Sequence, residues 1–477
     1  MQSKSFIKKL ATLASFLSIL SNIFIFTYPS LHPKQCSWHC YDKKPTEDPQ
    51  VLSSWERMVF YARRYFDDVR EHTFTRPDQT VATGDQPRDI HLMAFGDPQI
   101  KGVWEKTPYI TRLDIFGNDY YLGHIASMMR KRLHPSHVVV MGDLFSSQWI
   151  GDSEFYNRTA RYSSRIFGRD TAWMKDIEEE SHNHEGYKVN WKKWADEFNA
   201  IRSTDKPWNF GFHHSDLYSW DPENEDSLFI NITGNHDIGY AGDITYQHMA
   251  RFHELFGKVN YWIEYDTDTD HPWRIVVLNS LALEGPALQP EFIEATWEFL
   301  YQLFERRFQG STVLLTHVPF YKEEGLCSDG PEFHYYPEHF EREPYKAGLL
   351  RSQNHLSEDV TNRVLNLIFD NDKPGIILTG HDHVGCETMY NKNSKEGTWT
   401  ASTKKESKDL VVQEITVKSM MGEFDGNTGL VTGHFNKRSG KWEWSFTLCP
   451  FAVQHIWWFA KVSALVTGFL WSLYILI

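Results

Sequence analysis

Cysteine is scarce in this chain: five in 477 residues, too few for a disulfide scaffold or a Cys-rich zinc module. Positive charge is in deficit as well. Lys and Arg number 49 against 63 Asp and Glu, and the formal charge of −14 excludes an electrostatic nucleic-acid binder. No glycine-rich phosphate loop, serine nucleophile elbow or dinucleotide fingerprint occurs. A mean hydropathy of −0.49 excludes a polytopic membrane protein, though not anchors at the ends. Aromatics, by contrast, are abundant. Trp alone counts 18 and Phe 32, within an aromatic share of 15% that suits membrane-interface belts or sugar-stacking surfaces. With 41% hydrophobic and 23% charged residues the chain is a folded protein, long enough for about three domains.

Both ends read as membrane anchors. Leu10 to Tyr28 is an almost uncharged stretch behind Lys4, Lys8 and Lys9. A cleaved signal peptide would look similar, but Pro29, Leu31 and His32 stand where a small-x-small cleavage site belongs. Ile456 to Ile477 is long enough to cross a bilayer, with Lys461 placed to snorkel and Trp457 and Trp458 at interface depth. The leading lysines favour a cytoplasmic N-terminus, so residues between two spans would lie in a lumen. There Asn157 in Asn157-Arg158-Thr159 is expected to be glycosylated, whereas Asn231 in Asn231-Ile232-Thr233 sits in an apolar run and is expected to be buried and unmodified. A lumen also permits disulfides. Cys36 with Cys40, or Cys327 with Cys386, are candidate pairs, and the odd total leaves at least one thiol unpaired.

From Ile90 onward, short apolar runs alternate with amphipathic segments. The runs IHLMAFGD, HVVVMGD, LFINITGNHD, WRIVVLNS, STVLLTHVP and PGIILTGHDH have strand length. Helical patterns separate most of them, so the fold class is α/β with a mostly parallel sheet. The expected organisation is an N-terminal anchor at 1–31, a lumenal lead-in at 32–89 containing one helix, a main domain at 90–449 and a transmembrane helix at 455–477. Within the main domain, residues 151–226 form an insertion too long for a simple loop, which should carry helices such as VNWKKWADEFNAI. Residues 391–409 are polar enough to suggest a mobile loop before closing antiparallel strands.

Chemistry is concentrated where the strands end. Asp97, Gln99, Asp143, Asn235, His236, Asp237, His317, His381 and His383 all follow apolar runs, the position at which open α/β sheets form their ligand crevice. Carboxylates, amide oxygens and imidazoles without cysteine suit Mn, Fe or Zn at five- or six-coordinate geometry. Seven such ligands are too many for one ion and right for two, which together can polarise a phosphoryl oxygen.

The order of these motifs is itself informative. GD-x-Q, GD, GNHD, a single His after a strand, then GH-x-H resembles the calcineurin-like metallophosphoesterases over Ile90 to Gly385. That resemblance implies an αββα sandwich with a dinuclear site at the sheet edge. One metal would take Asp97, Gln99, Asp143 and His383; the other would take Asp143, Asn235, His317 and His381, with Asp143 bridging. His236 would stabilise the phosphate or protonate the leaving oxygen, oriented by Asp237. Gln99 stands where a His is usual, which favours Mn over Zn, with Fe also possible. GNHDIGY, RFHELFG, VVLNSLAL, THVPFY and GHDHVGCE further resemble one branch, the endoplasmic-reticulum phosphodiesterases that trim ethanolamine phosphate from glycosylphosphatidylinositol (GPI) glycans, including fungal members. The branch implies GPI glycolipid or GPI-anchored proteins as substrate, the membrane as a partner, and cargo-export receptors as further partners. Competing readings are a lumenal phosphatase or phosphodiesterase on another phosphoester, and a catalytically inactive membrane-bound cargo adaptor.

Overall fold

The computed structural model describes residues 2–41, 54–74, 87–183, 186–187, 189–204, 208–213, 225–370, 372–407 and 409–477. Parts of the lead-in and of the insertion therefore lie outside the described residues. The chain begins with α1 (Gln2–Thr27) and α2 (Ser54–Phe74). β1 (Ile90–Phe95), α3 (Tyr109–Leu133) and β2 (His137–Val140) follow, the two strands lying parallel. As the insertion's length requires, it carries its own elements: α4 (Asp152–Arg161), α5 (Trp173–Ser181), the short hairpin β3 (His182–Asn183) and β4 (Gly186–Tyr187), then α6 (Trp191–Arg202). β5 (Leu228–Asn231) returns beside β2 and leads into α7 (Asn235–Ile238) and α8 (Tyr246–Phe256).

The second half opens with β6 (Tyr261–Tyr265), β7 (Trp273–Val277), α9 (Pro290–Glu305) and β8 (Ser311–Leu315). A small hairpin of β9 (Phe333–Tyr335) and β10 (Leu350–Gln353) precedes α10 (Glu358–Ile368) and β11 (Gly375–Thr379). It closes with β12 (Cys386–Asn393), β13 (Thr398–Ser402), β14 (Val411–Thr416), β15 (Asn427–Asn436), β16 (Lys441–Pro450) and α11 (Gln454–Leu476). Helix starts are set locally. Asn190, Thr245 and Ser357 accept from the amides of Lys193, His248 and Val360, and Pro290 opens α9 where no N–H is needed.

Two sheets result, in the orders β16-β15-β1-β2-β5 and β13-β12-β14-β11-β8-β7-β6. Alternate residues of each strand explain their contact. Leu92, Val139 and Ile230 of the first sheet share an apolar layer with Ile275, Val313 and Ile376 of the second. The intervening residues, such as Met93, Val138 and Leu314, turn outward to α3 and α9. Two expectations fail in the closing region. The first part of 391–409 is a hairpin and not a loop: β12 and β13 pair antiparallel from Met389–Ser402 to Asn393–Thr398, with Tyr390 and Trp399 buried beneath. Nor is β14 wholly antiparallel, because it runs parallel to β11 on its other side.

α1 and α11 are long and apolar enough to cross a membrane, and only 17% and 11% of their apolar windows are buried, less than a core helix would show. They lie antiparallel against each other. Trp471 Nε1 donates to Ser15 Oγ at 2.9 Å, Ser21 and Ser463 hydroxyls meet at 3.5 Å, and Asn22 Nδ2 donates to Ala460 O at 3.2 Å. Such small and polar contacts are the usual means by which helices adhere in lipid. Cys327 and Cys386 are disulfide-bonded, one of the two candidate pairs. Cys36 is bonded instead to Cys449, and Cys40 is free and exposed. The stretch after α1 lies along the first sheet, where His39 N donates to Thr432 Oγ1, and this carries Cys36 away from Cys40 and onto β16. Asn231 is buried and accepts from the Tyr162 hydroxyl, whereas Asn157 is exposed on α4.

Candidate metal centre

β1, β2, β5, β8 and β11 release their chains at one end of the double sheet, and that end gathers the predicted ligands. Gln99 Nε2 lies 3.1 Å from both Asp143 Oδ2 and His383 Nε2, and His383 Nε2 lies 3.6 Å from Asp97 Oδ2. Beside this group, Asn235 Oδ1 lies 3.1 Å from His317 Nε2 and 3.0 Å from His381 Nδ1. Asp143 joins the two groups, with Oδ1 3.4 Å from His317 Nε2 and Oδ2 on Gln99. Among the described residues no three His, Cys, Asp or Glu side chains are close enough to hold a metal by themselves; the amides of Gln99 and Asn235 stand between them. Gln99 presents its nitrogen, and a half-turn of the carboxamide would present its oxygen.

Several features fit a cationic occupant. Asp97 Oδ1 is buried with no hydrogen-bond partner, and a cation beside it would satisfy it. Donor atoms sharing one ion at roughly 2.1 Å stand about 3 Å apart along an octahedral edge, close to the separations within each group. Burial and the neighbouring Asp143 charge push the Asp97 carboxyl well above its usual range. Burial outweighs the nearby carboxylates at the imidazoles. It lowers His317 and His383, and together with the neighbouring His317 takes His381 down to about 3, so all three present lone pairs. His317 Nδ1 lies 2.7 Å from Met141 O, which leaves its Nε2 facing inward. The backbone is strained where this requires it. Asp97, Gln99, Asp143 and His381 have φ of 29°, 41°, 47° and 75°, and such conformations persist where the surroundings over-determine a functional geometry.

His236 and Asp237 divide differently from expectation. The His236 ring is 37% exposed, with Nε2 3.8 Å from Asp143 Oδ2 and its backbone N–H donating to Asp143 Oδ1 at 2.8 Å. Asp237 is directed elsewhere. Its buried carboxylate accepts from the amides of Gly234 at 2.8 Å and of Leu144 and Phe145 at 3.2 Å. Three converging N–H groups hold the carboxylate there, so it ties the Asp143 loop to the Asn235 loop.

Some participants escaped the motif reading. Arg158 in the insertion is buried and donates to Ile100 O at 3.1 Å and Ser146 Oγ at 3.2 Å, bracing the segments after Asp97 and Asp143. The Tyr240 hydroxyl lies 3.5 Å from His381 Nε2, and only its place in GNHDIGY could have drawn attention to it. Phe424 stacks edge-on to His383 at 5.0 Å. Two residues earlier, Gly422 abuts Gln454, the first residue of α11, so closely that any Cβ would overlap it. The exposed side of the centre thus adjoins the root of a membrane-type helix.

No family model matches the chain. Relatives do. Protein TED1 of Saccharomyces cerevisiae is 62% identical over 474 residues, covering 98% of both chains. An uncharacterized protein of Schizosaccharomyces pombe is 26% identical across 71% of this chain and 68% of its own length. Metallophosphoesterase 1 of Danio rerio is 26% identical over 188 residues, 35% of this chain and 45% of that protein. The near-complete match to one and the local match to the other lead to one statement: the chain belongs to the family of yeast Protein TED1, related to the calcineurin-like metallophosphoesterases.

Proposed function

We propose that this protein is a divalent-metal phosphodiesterase, an αββα sandwich anchored at both ends in the endoplasmic-reticulum membrane. Its lumenal centre would remove ethanolamine phosphate from a mannose of GPI glycans, in support of GPI-protein remodelling and export. The observation that carries this reading is the convergence of Asp97, Gln99, Asp143, Asn235, His317, His381 and His383 beside the root of α11. Two ions, Mn by preference given Gln99, would supply positive charge for a phosphoryl oxygen and a nucleophile at neutral pH. Asp97, Gln99, Asp143 and His383 would hold one of them, and Asp143, Asn235, His317 and His381 the other.

The remaining work falls to side chains around that set. His236 is the exposed imidazole over Asp143, so its ring can meet a substrate and protonate the departing mannose oxygen. Asp237 and Arg158 keep the loops in register. A phosphodiester borne on a lipid arrives along the bilayer, where a centre next to α11 can receive it.

The test uses full-length protein in lipid vesicles supplied with Mn. It should release ethanolamine phosphate from GPI glycan, and His236→Ala should lower kcat by about 10²- to 10⁴-fold with metal content unchanged. Hydrolysis confined to another phosphoester would replace the substrate. Full support of cargo export by a variant that hydrolyses nothing would favour the adaptor.

A further inference from the structure

Helix α3 carries an apolar stripe of which only one half is covered. Positions 109, 113, 116, 117, 120, 121 and 124 recur at three- and four-residue spacing and so share a face. The C-terminal half meets the domain-side ends of α1 and α11. Any Cβ at Gly117 would overlap the Trp458 ring; the Tyr121 ring stands edge-on to Trp457 at 6.1 Å, and His124 Nε2 lies 3.0 Å from Ile25 O. The N-terminal half stays bare. Tyr109 and Ile110 are 74% and 80% exposed, Leu113 and Phe116 are also exposed, and Trp104 extends the patch back toward Gln99.

We propose that this bare half lies in the interfacial layer of a lipid bilayer, as a third membrane contact that spans nothing and sets the height of the metal centre above the headgroups. The proposal rests on the reading of α1 and α11 as membrane spans. Continuity carries it: the face that packs on the roots of both spans is the same face that runs on uncovered, so it leaves the domain at the level where the spans do. Composition agrees. Trp and Tyr beside Ile, Leu and Phe is what an interfacial helix presents. Lys106 and Arg112 flank the patch in sequence together with Glu105 and Asp114, and Lys101 pairs with Glu423 at 3.6 Å, so the apolar face, not charge, carries the proposal. Arg112 Nε donates to Thr107 O at 2.8 Å and Nη2 to Trp104 O at 3.0 Å, which holds the Trp104 turn against the start of the helix. The opposite side of α3 is fixed by Asp119, buried under Arg161 at 2.8 Å.

The test places a nitroxide at Ile110→Cys, Leu465→Cys or Lys437→Cys in a Cys40→Ser background of the full-length protein, in phosphatidylcholine–phosphatidylserine vesicles. Collision rates with oxygen, which enters lipid, are compared with those of a water-soluble nickel chelate. The Ile110 label should be open to oxygen and shielded from nickel, as at lipid-facing Leu465 and unlike Lys437 in the turn between β15 and β16. An Ile110 label as nickel-accessible as Lys437, with Leu465 in lipid, overturns the proposal and spares the spans. A Leu465 label in water overturns the spans themselves. An Ile110 label closed to both reagents means that protein covers the face, which also refutes the proposal. As a second arm, Ile110→Asp with Leu113→Asp should lower hydrolysis of a vesicle-embedded phosphodiester by at least about tenfold, since losing burial of even one such side chain is worth that factor. Hydrolysis of a soluble aryl phosphodiester should not change; equal losses on both would count against the proposal.

Discussion

Asp237→Asn distinguishes a residue that positions loops from one that acts through His236. The carboxylate accepts three amides, with Gly234 N at 2.8 Å and Leu144 N at 3.2 Å on Oδ2, and Phe145 N at 3.2 Å on Oδ1. Asparagine keeps one oxygen and turns an NH₂ group toward the remaining donors. At least one buried N–H loses its acceptor, at a cost of about 1–3 kcal/mol. The midpoint of thermal unfolding should fall by a few degrees. Because the same carboxylate ties the Asp143 loop to the Asn235 loop, metal affinity should fall with it. Activity measured against Mn concentration should therefore be shifted to higher Mn and largely restored at saturation. A double-mutant cycle completes the test, since positioning and acid catalysis are separate and the losses of Asp237→Asn and His236→Ala should then multiply. An unchanged melting temperature and metal content, with a kcat loss that vanishes in the His236→Ala background, would refute the reasoning and restore Asp237 as the partner of the His236 ring.

Asp143→Asn, at the carboxylate shared by both ligand groups, should abolish hydrolysis and markedly lower bound metal by elemental analysis; wild-type stoichiometry would remove the bridging assignment. Lys322 and Glu414 form a buried pair at 3.0 Å, so Lys322→Met should destabilise the fold by about 3–5 kcal/mol in denaturant unfolding, and Lys322→Met with Glu414→Gln should recover most of it. A double variant no more stable than the single would show that the charge left behind is not the cause. If the domain is lumenal, endoglycosidase treatment should increase gel mobility through Asn157, and Asn157→Gln should remove the shift, whereas Asn231→Gln should leave it in place.

The strands and their chemistry were legible for one physical reason. β2, β5, β8 and β11 are buried on both faces, so each is a short continuous apolar run, and polar residues resume where the strand leaves the sheet. β13 is the edge strand with β12 next to it, and of their few apolar residues Tyr390 and Trp399 are the buried ones, set among polar neighbours. That pattern reads as a loop. Residue type revealed Asp237 but not its aim, since the three amides that hold it belong to backbone at Gly234, Leu144 and Phe145. Arg158 and Phe424 are ordinary residues in sequence; only the fold brings one under Ile100 and the other against His383.

The disulfide between Cys36 and Cys449 escaped for a related reason. Sequence arithmetic favours near neighbours, and this bond joins residues 413 apart. Topology decides it. Trp38 Nε1 donates to Leu133 O and the Tyr41 hydroxyl to Glu443 O, so the stretch leaving α1 is laid across the first sheet as far as β16. Cys449 lies at the end of β16, just before α11 begins at Gln454. The bond therefore closes the chain at the two places where the apolar helices leave the domain. Even if the contacts of Ser15, Ser21 and Asn22 gave way, α1 and α11 could not part at their roots. Three connections then act on one relation: this disulfide, the Gly422–Gln454 contact and the stripe of α3 each fix the height of the candidate centre relative to the roots of α1 and α11. A diffusible substrate makes no demand on that height. A phosphodiester held in a bilayer does, because its distance from the membrane is set before it reaches the protein.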